Sequence, residues 1–333
     1  MRTKKSFLLL SLLVGSISLV YAWGAWGHQH INRAAIFALP AEMRVFFFNH
    51  ADFLTQESDM PDVRKHLYHD RDESARHFIN LEEYGPGMMD SLPLTLQDAT
   101  AKFGTPFLQK NGTLPWFIPM LMDSLTKAFR ERRKLDILFL SANLGHYIGD
   151  AHMPLHTSVN HDGLKTGQRG IHGFWEGQIP EMFGDGYNLY TGTPKYIDDI
   201  TRETRRMIAA TYLLADSMLL IDRRLKEGLP ENKIYKLDAE GHIAKSFYGD
   251  PVHSKEYAIK YHAALNGMVE RQLRAAIRET ASFWYTAWVN AGKPDLGNLD
   301  PKALTQRNQS ALARDLRRWK QGKVDMINPD PEY

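Results

Sequence analysis

Along residues 136–151, Ile137, Leu140, Leu144, Tyr147 or Ile148, and Ala151 recur at steps of three and four, and Pro154 ends the pattern. That spacing predicts a core helix. Comparable patterning predicts a second helix over 197–225, stopped by Gly228 and Pro230, and a third over 256–290, closed by Gly292-Lys293-Pro294. Asp300-Pro301 fits an N-cap with proline at the first helical position, opening a helix that reaches Trp319. Leu39-Pro40 and Leu114-Pro115 are candidate starts of two more. Short alternating runs of Val, Ile and Thr are nearly absent, so the expected class is all-α, without internal repeats. Residues 153–170 crowd Asn160, Asp162, Gly163, Gly167 and Gly170 together, which predicts a loop between two His-bearing elements. The tail, 321–333, is expected to fray.

The hydrophobic pattern is different at the start of the chain. Arg2, Lys4 and Lys5 precede an apolar run over 7–20 that ends in Val20-Tyr21-Ala22. This predicts a signal peptide over 1–22, cleaved near Ala22, and hence an exported protein, periplasmic or secreted. An anchor helix is the other reading; the run is short for a membrane span, and no transmembrane segment is expected in the mature chain. The remainder, 23–320, suffices for one domain with a sizeable core.

Composition changes this picture in two ways. A net charge of +2 on 333 residues makes no overall electrostatic case for a polyanion partner, and nothing calls for an obligate protein partner. There is no cysteine, so an exported chain must do without disulfides, while 14 histidines could hold metal ions instead.

His146 and Asp150, four apart on the predicted helix, share a face and can reach one ion. His156 follows just beyond Pro154. His172 and Glu176 repeat the four-residue spacing. Either pair alone reads as an ordinary helix-surface pair, but two such pairs joined by a third histidine point to a metal site. The other histidines, including His152 and His161, are read as surface or core groups. A Ser-His-Asp hydrolase has no signature here, because no Gly-x-Ser-x-Gly elbow occurs.

The segment His146-Tyr147-Ile148-Gly149-Asp150-Ala151-His152-Met153-Pro154-Leu155-His156 resembles the shared core of the zinc-dependent phospholipases C and the S1/P1 nucleases. Trp23-Gly24-Ala25-Trp26-Gly27-His28, at the predicted cleavage point, is similar to the start of the mature nucleases. Pro61-Asp62 and Arg76-His77-Phe78 resemble the family's Asp and His, with Asp59 a rival for Asp62. The resemblance implies a multi-helix domain with about three zinc ions. Asp62, His77, His146 and Asp150 would hold the first, and His156, His172 and Glu176 the second. The amine and carbonyl of Trp23, with His28 and Asp150, would hold the third. Asp150 would bridge two ions, and Asp62 and Asp150 are the carboxylates expected to carry catalysis.

The implied activity is phosphodiester hydrolysis by zinc-activated water. Glu176 matches the phospholipases and the Trp-Gly start matches the nucleases, so the substrate is a phospholipid or single-stranded nucleic acid, with phospholipid preferred. A metal-stapled binding domain without catalysis is the alternative. Three identifiable ligands at the second site leave an open position and favour catalysis over that alternative.

Overall fold

The computed structural model describes residues 24–68, 71–85, 87–246, 249–299 and 306–326. The signal peptide, Trp23 and the Asp300-Pro301 cap lie outside the described residues. The principal helices are α1 (Gly24–Ala38), α2 (Met60–Tyr68), α3 (Leu114–Arg130), α4 (Lys134–Asp150), α5 (Ile200–Tyr212), α6 (Ala215–Lys226), α7 (Lys255–Ala264), α8 (Met268–Asn290) and α9 (Gln306–Lys320). Extended pairing among the described residues is confined to isolated bridges joining Tyr235 to His253, Leu237 to Ile243 and Lys245 to Pro251.

Helix α4 lies at the centre, packed against α1, α3 and α8. Because neighbours cover it on several sides, every residue from Ser141 to Asp150 is buried, polar ones included. Glycine at two positions permits the closest of these approaches. A Cβ at Gly145 would stand 1.8 Å from Asn32 Oδ1 on α1, and one at Gly149 would stand 3.0 Å from His28 Nδ1. Asn32 then fixes the contact by donating from Nδ2 to the carbonyls of Ala142 and Leu54, at 3.0 Å each. The same approach brings His28 beside the last turn of α4.

Two apolar cores flank this centre. One gathers Phe37, Phe47, Phe129, Tyr147 and Trp284; the other gathers Phe174, Trp175, Tyr257, Tyr261 and Ile277. Helices α1 and α8 contribute to both, which ties the two halves into a single all-α domain. Burying a large aromatic of this kind stabilises the fold by roughly 2–3 kcal/mol.

The helix expected over 197–225 is two helices. Asp199 caps α5, its side chain accepting from the Arg202 N–H at 2.9 Å, and the chain bends at Leu213 and Leu214 before α6. The bend lets Met207 and Ile208 enter one core while Met218 and Leu219 enter the other. The helix expected over 256–290 is likewise divided, at Asn266 (φ 46°) and Gly267 (φ 74°), where the backbone turns left-handed between α7 and α8. Residues 153–170 form a loop stiffened by short 3₁₀ turns at Pro154–Thr157 and Leu164–Thr166. Residues 321–326, assigned to the tail, run back along the body: Gly322 accepts from the Leu189 N–H at 2.8 Å, and Lys323 Nζ donates to the Asp185 carbonyl at 2.5 Å.

Candidate metal centre

His28 comes from α1, Asp62 and Lys65 from α2, and His146 and Asp150 from the last turn of α4. His77 follows the short helix Arg71–Arg76, His156 sits in the turn Pro154–Thr157, and His172 lies in the turn Ile171–Gly173. Glu176 belongs to a wide π-turn, Phe174–Gln178. Turns of that kind recur at functional sites because they splay a side chain out of helical register.

Asp150 is the hub. Its Oδ2 lies 3.3 Å from His146 Nε2, and its Oδ1 lies 3.2 Å from His156 Nδ1 and 3.7 Å from His28 Nε2. Asp62 Oδ1 lies 3.4 Å from His77 Nε2 and accepts from Lys65 Nζ at 2.7 Å. Beyond Asp150, His156 Nε2 is 3.2 Å from His172 Nε2, and Glu176 is 2.8 Å from His172 and 3.7 Å from His156. Trp23, assigned as a terminal ligand, falls outside the described residues.

Several of the histidines are oriented by the backbone. His77 Nδ1 donates to the Glu73 carbonyl at 2.7 Å, His146 Nδ1 to the Ser58 carbonyl at 2.8 Å, and His172 Nδ1 to the His161 carbonyl at 2.8 Å. Each bond fixes the tautomer and presents Nε2 as a lone pair, the usual arrangement behind a metal-ligating imidazole. Yet the Nε2 atoms of His28, His77 and His146, His156 Nδ1, both Asp150 oxygens and Glu176 Oε2 are buried without a hydrogen-bond partner. Buried polar atoms are ordinarily paired, since leaving one unpaired costs about 1–3 kcal/mol. A tetrahedral zinc with bonds of about 2.0–2.1 Å holds its nitrogen and oxygen donors roughly 3.3 Å apart. The orphaned atoms and most of their separations therefore fit zinc, and the donor set suits it.

Ligand atoms lie within 4.8 Å of one another in three groups: His28, His146 and Asp150; Asp62, His77 and His146; and His156, His161 and His172. The structure thus brings every described predicted ligand into one connected cluster. Asp62 rather than Asp59 faces His77, because Asp59 turns toward α1 and accepts from Gln29 Nε2 at 2.6 Å. Burial pushes the Asp59 carboxyl up to about 7. Burial and the neighbouring His146 drive His28 down to about 3, keeping its ring neutral. For Asp150, burial favours the acid, but His146 and His156 outweigh it and hold the group well below the carboxylate range. At His172 burial works toward the neutral ring, but Glu176 prevails and raises it to about 9.

Two residues here escaped the sequence reading. Lys65 stands one turn beyond Asp62, at the i,i+3 spacing that could have revealed it. His161 sits in an irregular loop, where no periodicity marks it. His152 lies outside the three groups, its Nδ1 donating to the Ile148 carbonyl at 2.8 Å.

The fold and site define an all-α domain with buried His/carboxylate groups able to hold metal ions. No family model matches the chain, and no curated protein matches it. No helix among the described residues is long and apolar enough to cross a membrane.

Proposed function

We propose that this chain is an exported zinc-dependent phosphodiester hydrolase of the phospholipase C/P1 nuclease type. The observation that carries the reading is Asp150, a fully enclosed carboxylate facing three histidines, with neither oxygen hydrogen-bonded. Zinc bound there would supply Lewis acidity toward phosphoryl oxygens and lower the pKa of a water toward neutrality.

The chain's own residues supply the rest. Asp150 links the His28 and His146 side of the cluster to His156, so donors from α1, α4 and the following turn act as one unit. Asp62 and His77 extend it on the other side. Lys65, whose side chain is 20% exposed, places a fixed positive charge at the solvent edge beside Asp62, where an anionic phosphodiester would enter. His172, 13% exposed, marks a second solvent-facing side.

A phospholipid is the preferred substrate over single-stranded nucleic acid, on the strength of Glu176 and of a near-neutral net charge that provides no evident polyanion groove. The test uses protein exported and processed by its host. About three zinc ions are expected per chain, together with diacylglycerol release from lipid exceeding 5′-nucleotide release from single-stranded DNA or RNA, both abolished by Asp150→Asn. Nucleotide release without lipid turnover would reverse the substrate order. Hydrolysis of neither would leave a metal-stapled binding domain.

A further inference from the structure

His161 is the exposed member of the third ligand group, and the loop around it is built to hold it in place. Its neighbour Asn160 donates from Nδ2 to Thr166 Oγ1 at 3.0 Å and accepts from the Lys165 N–H at 2.9 Å. On the other side, Asp162 accepts from the N–H groups of Gly170 at 2.9 Å and His172 at 3.1 Å. The His161 carbonyl itself takes the His172 Nδ1 proton, which orients the His172 ring. A solvent-exposed histidine with no task needs none of this.

The ring is also aimed. It lies 4.3 Å from the His172 ring and 5.5 Å from the His156 ring, between centroids, with Phe78 at 5.9 Å behind it. A ligand atom of His161 falls within 4.8 Å of those of both His156 and His172.

We infer that His161 is a fourth protein ligand of the zinc held by His156, His172 and Glu176. The inference rests on the zinc reading above, and is independent of which phosphodiester is cleaved. Four protein ligands make that site closed, as in structural zinc sites. The sequence reading left an open position there; His161 fills it, so that position no longer favours catalysis.

The absence of cysteine from the chain makes the test direct. In full-length processed protein, His161→Ala should lower the affinity of one zinc, read by chelator competition, by about 100-fold, leaving the others unchanged; His172→Ala serves as the comparator that empties the same site. In cobalt-substituted His161→Cys, ligation should appear as a thiolate-to-cobalt charge-transfer band, since no other residue of the chain offers a thiolate. Unchanged zinc affinity in His161→Ala together with no such band in His161→Cys would overturn the assignment. So would a wild-type protein that binds no zinc which His172→Ala releases. Lipid and nucleotide assays of the wild type test the hydrolase reading separately, because a zinc-loaded but inactive protein would sink that reading while leaving the His161 result intact.

Discussion

Asp150 and Asp222 are both fully enclosed carboxylates, each at 0% exposure, and they are satisfied in opposite ways. Asp222 accepts from Tyr257 Oη on one oxygen at 2.7 Å and from Gln168 Nε2 on the other at 2.7 Å, with Lys226 Nζ at 2.9 Å completing an ion pair. Around Asp150, three imidazole nitrogens approach to 3.2–3.7 Å and none forms a hydrogen bond to it. The first cluster answers the carboxylate's charge with its own donors. The second gathers donors around it and leaves them unpaired, an arrangement that could hold a cation. Burial of a carboxylate therefore says little about role; whether its neighbours saturate it says a great deal.

The sharpest way to break this contrast is to make the same change at both places. Asp150→Asn should reduce turnover by about 1,000-fold or more, equivalent to about 4 kcal/mol, and lower the zinc content by at least one ion, since an amide cannot supply the bridging charge. Asp222→Asn should leave zinc content unchanged and instead destabilise the fold by about 3–5 kcal/mol, because Lys226 is left without its partner. Metal analysis and urea unfolding of both variants check this. Equal zinc loss in the two would erase the distinction.

A smaller effect is expected one layer out. Glu73, 3% exposed, accepts from the Tyr147 hydroxyl and from Arg76 Nη1 at 2.8 Å, while its carbonyl orients His77. Glu73→Gln loosens that helix end without touching a ligand. The zinc affinity of the Asp62 and His77 group should fall about 10-fold, with the His28 group unaffected; a uniform loss at all groups would mean that Glu73 supports the fold and not one site.

The parts of this arrangement legible in the sequence were those carried by helical period. His146 with Asp150, and His172 with Glu176, sit at four-residue spacing, and α4 follows its apolar repeat. Asp222 with Lys226 has the same spacing and looks like a surface pair, because only the tertiary positions of Gln168 and Tyr257 reveal its burial. His161 was invisible for the opposite reason: a loop position obeys no period. The division at Asn266-Gly267 carried a turn signal, overridden by apolar positions continuing on both sides. That at Leu213 and Leu214 carried none, since no glycine or proline marks a bend set by two separate cores. Residue-level resemblance led to His28 and Asp62, whose approach to Asp150 depends on contacts such as Gly149 against His28.

The smallest effect concerns His253, a histidine near the Asp222 cluster that has no metal to face. It stacks on Phe174 at 3.8 Å between centroids and lies near Tyr257 at 5.4 Å, with neither ring nitrogen hydrogen-bonded. Burial, aided by Lys226, drives it down to about 2. The folded state therefore refuses a proton that the unfolded chain accepts at about 6.5. Between those limits the unfolded state binds more protons, so stability rises with pH across the window and is lost as pH falls below about 6.5. At pH 5.5 the loss from this residue is about 1.4 kcal/mol, and at pH 7.5 it is close to zero. His253→Phe keeps the stacking and removes the titration, so the gap between urea-unfolding stabilities at pH 7.5 and 5.5 should shrink by that amount. His30 and His152, both driven to about 4 by burial, remain and keep part of the slope. An unchanged gap in the variant would show that His253 is protonated in the folded protein, and hence that its aromatic surroundings are open to water in a way the Asp150 cluster is not.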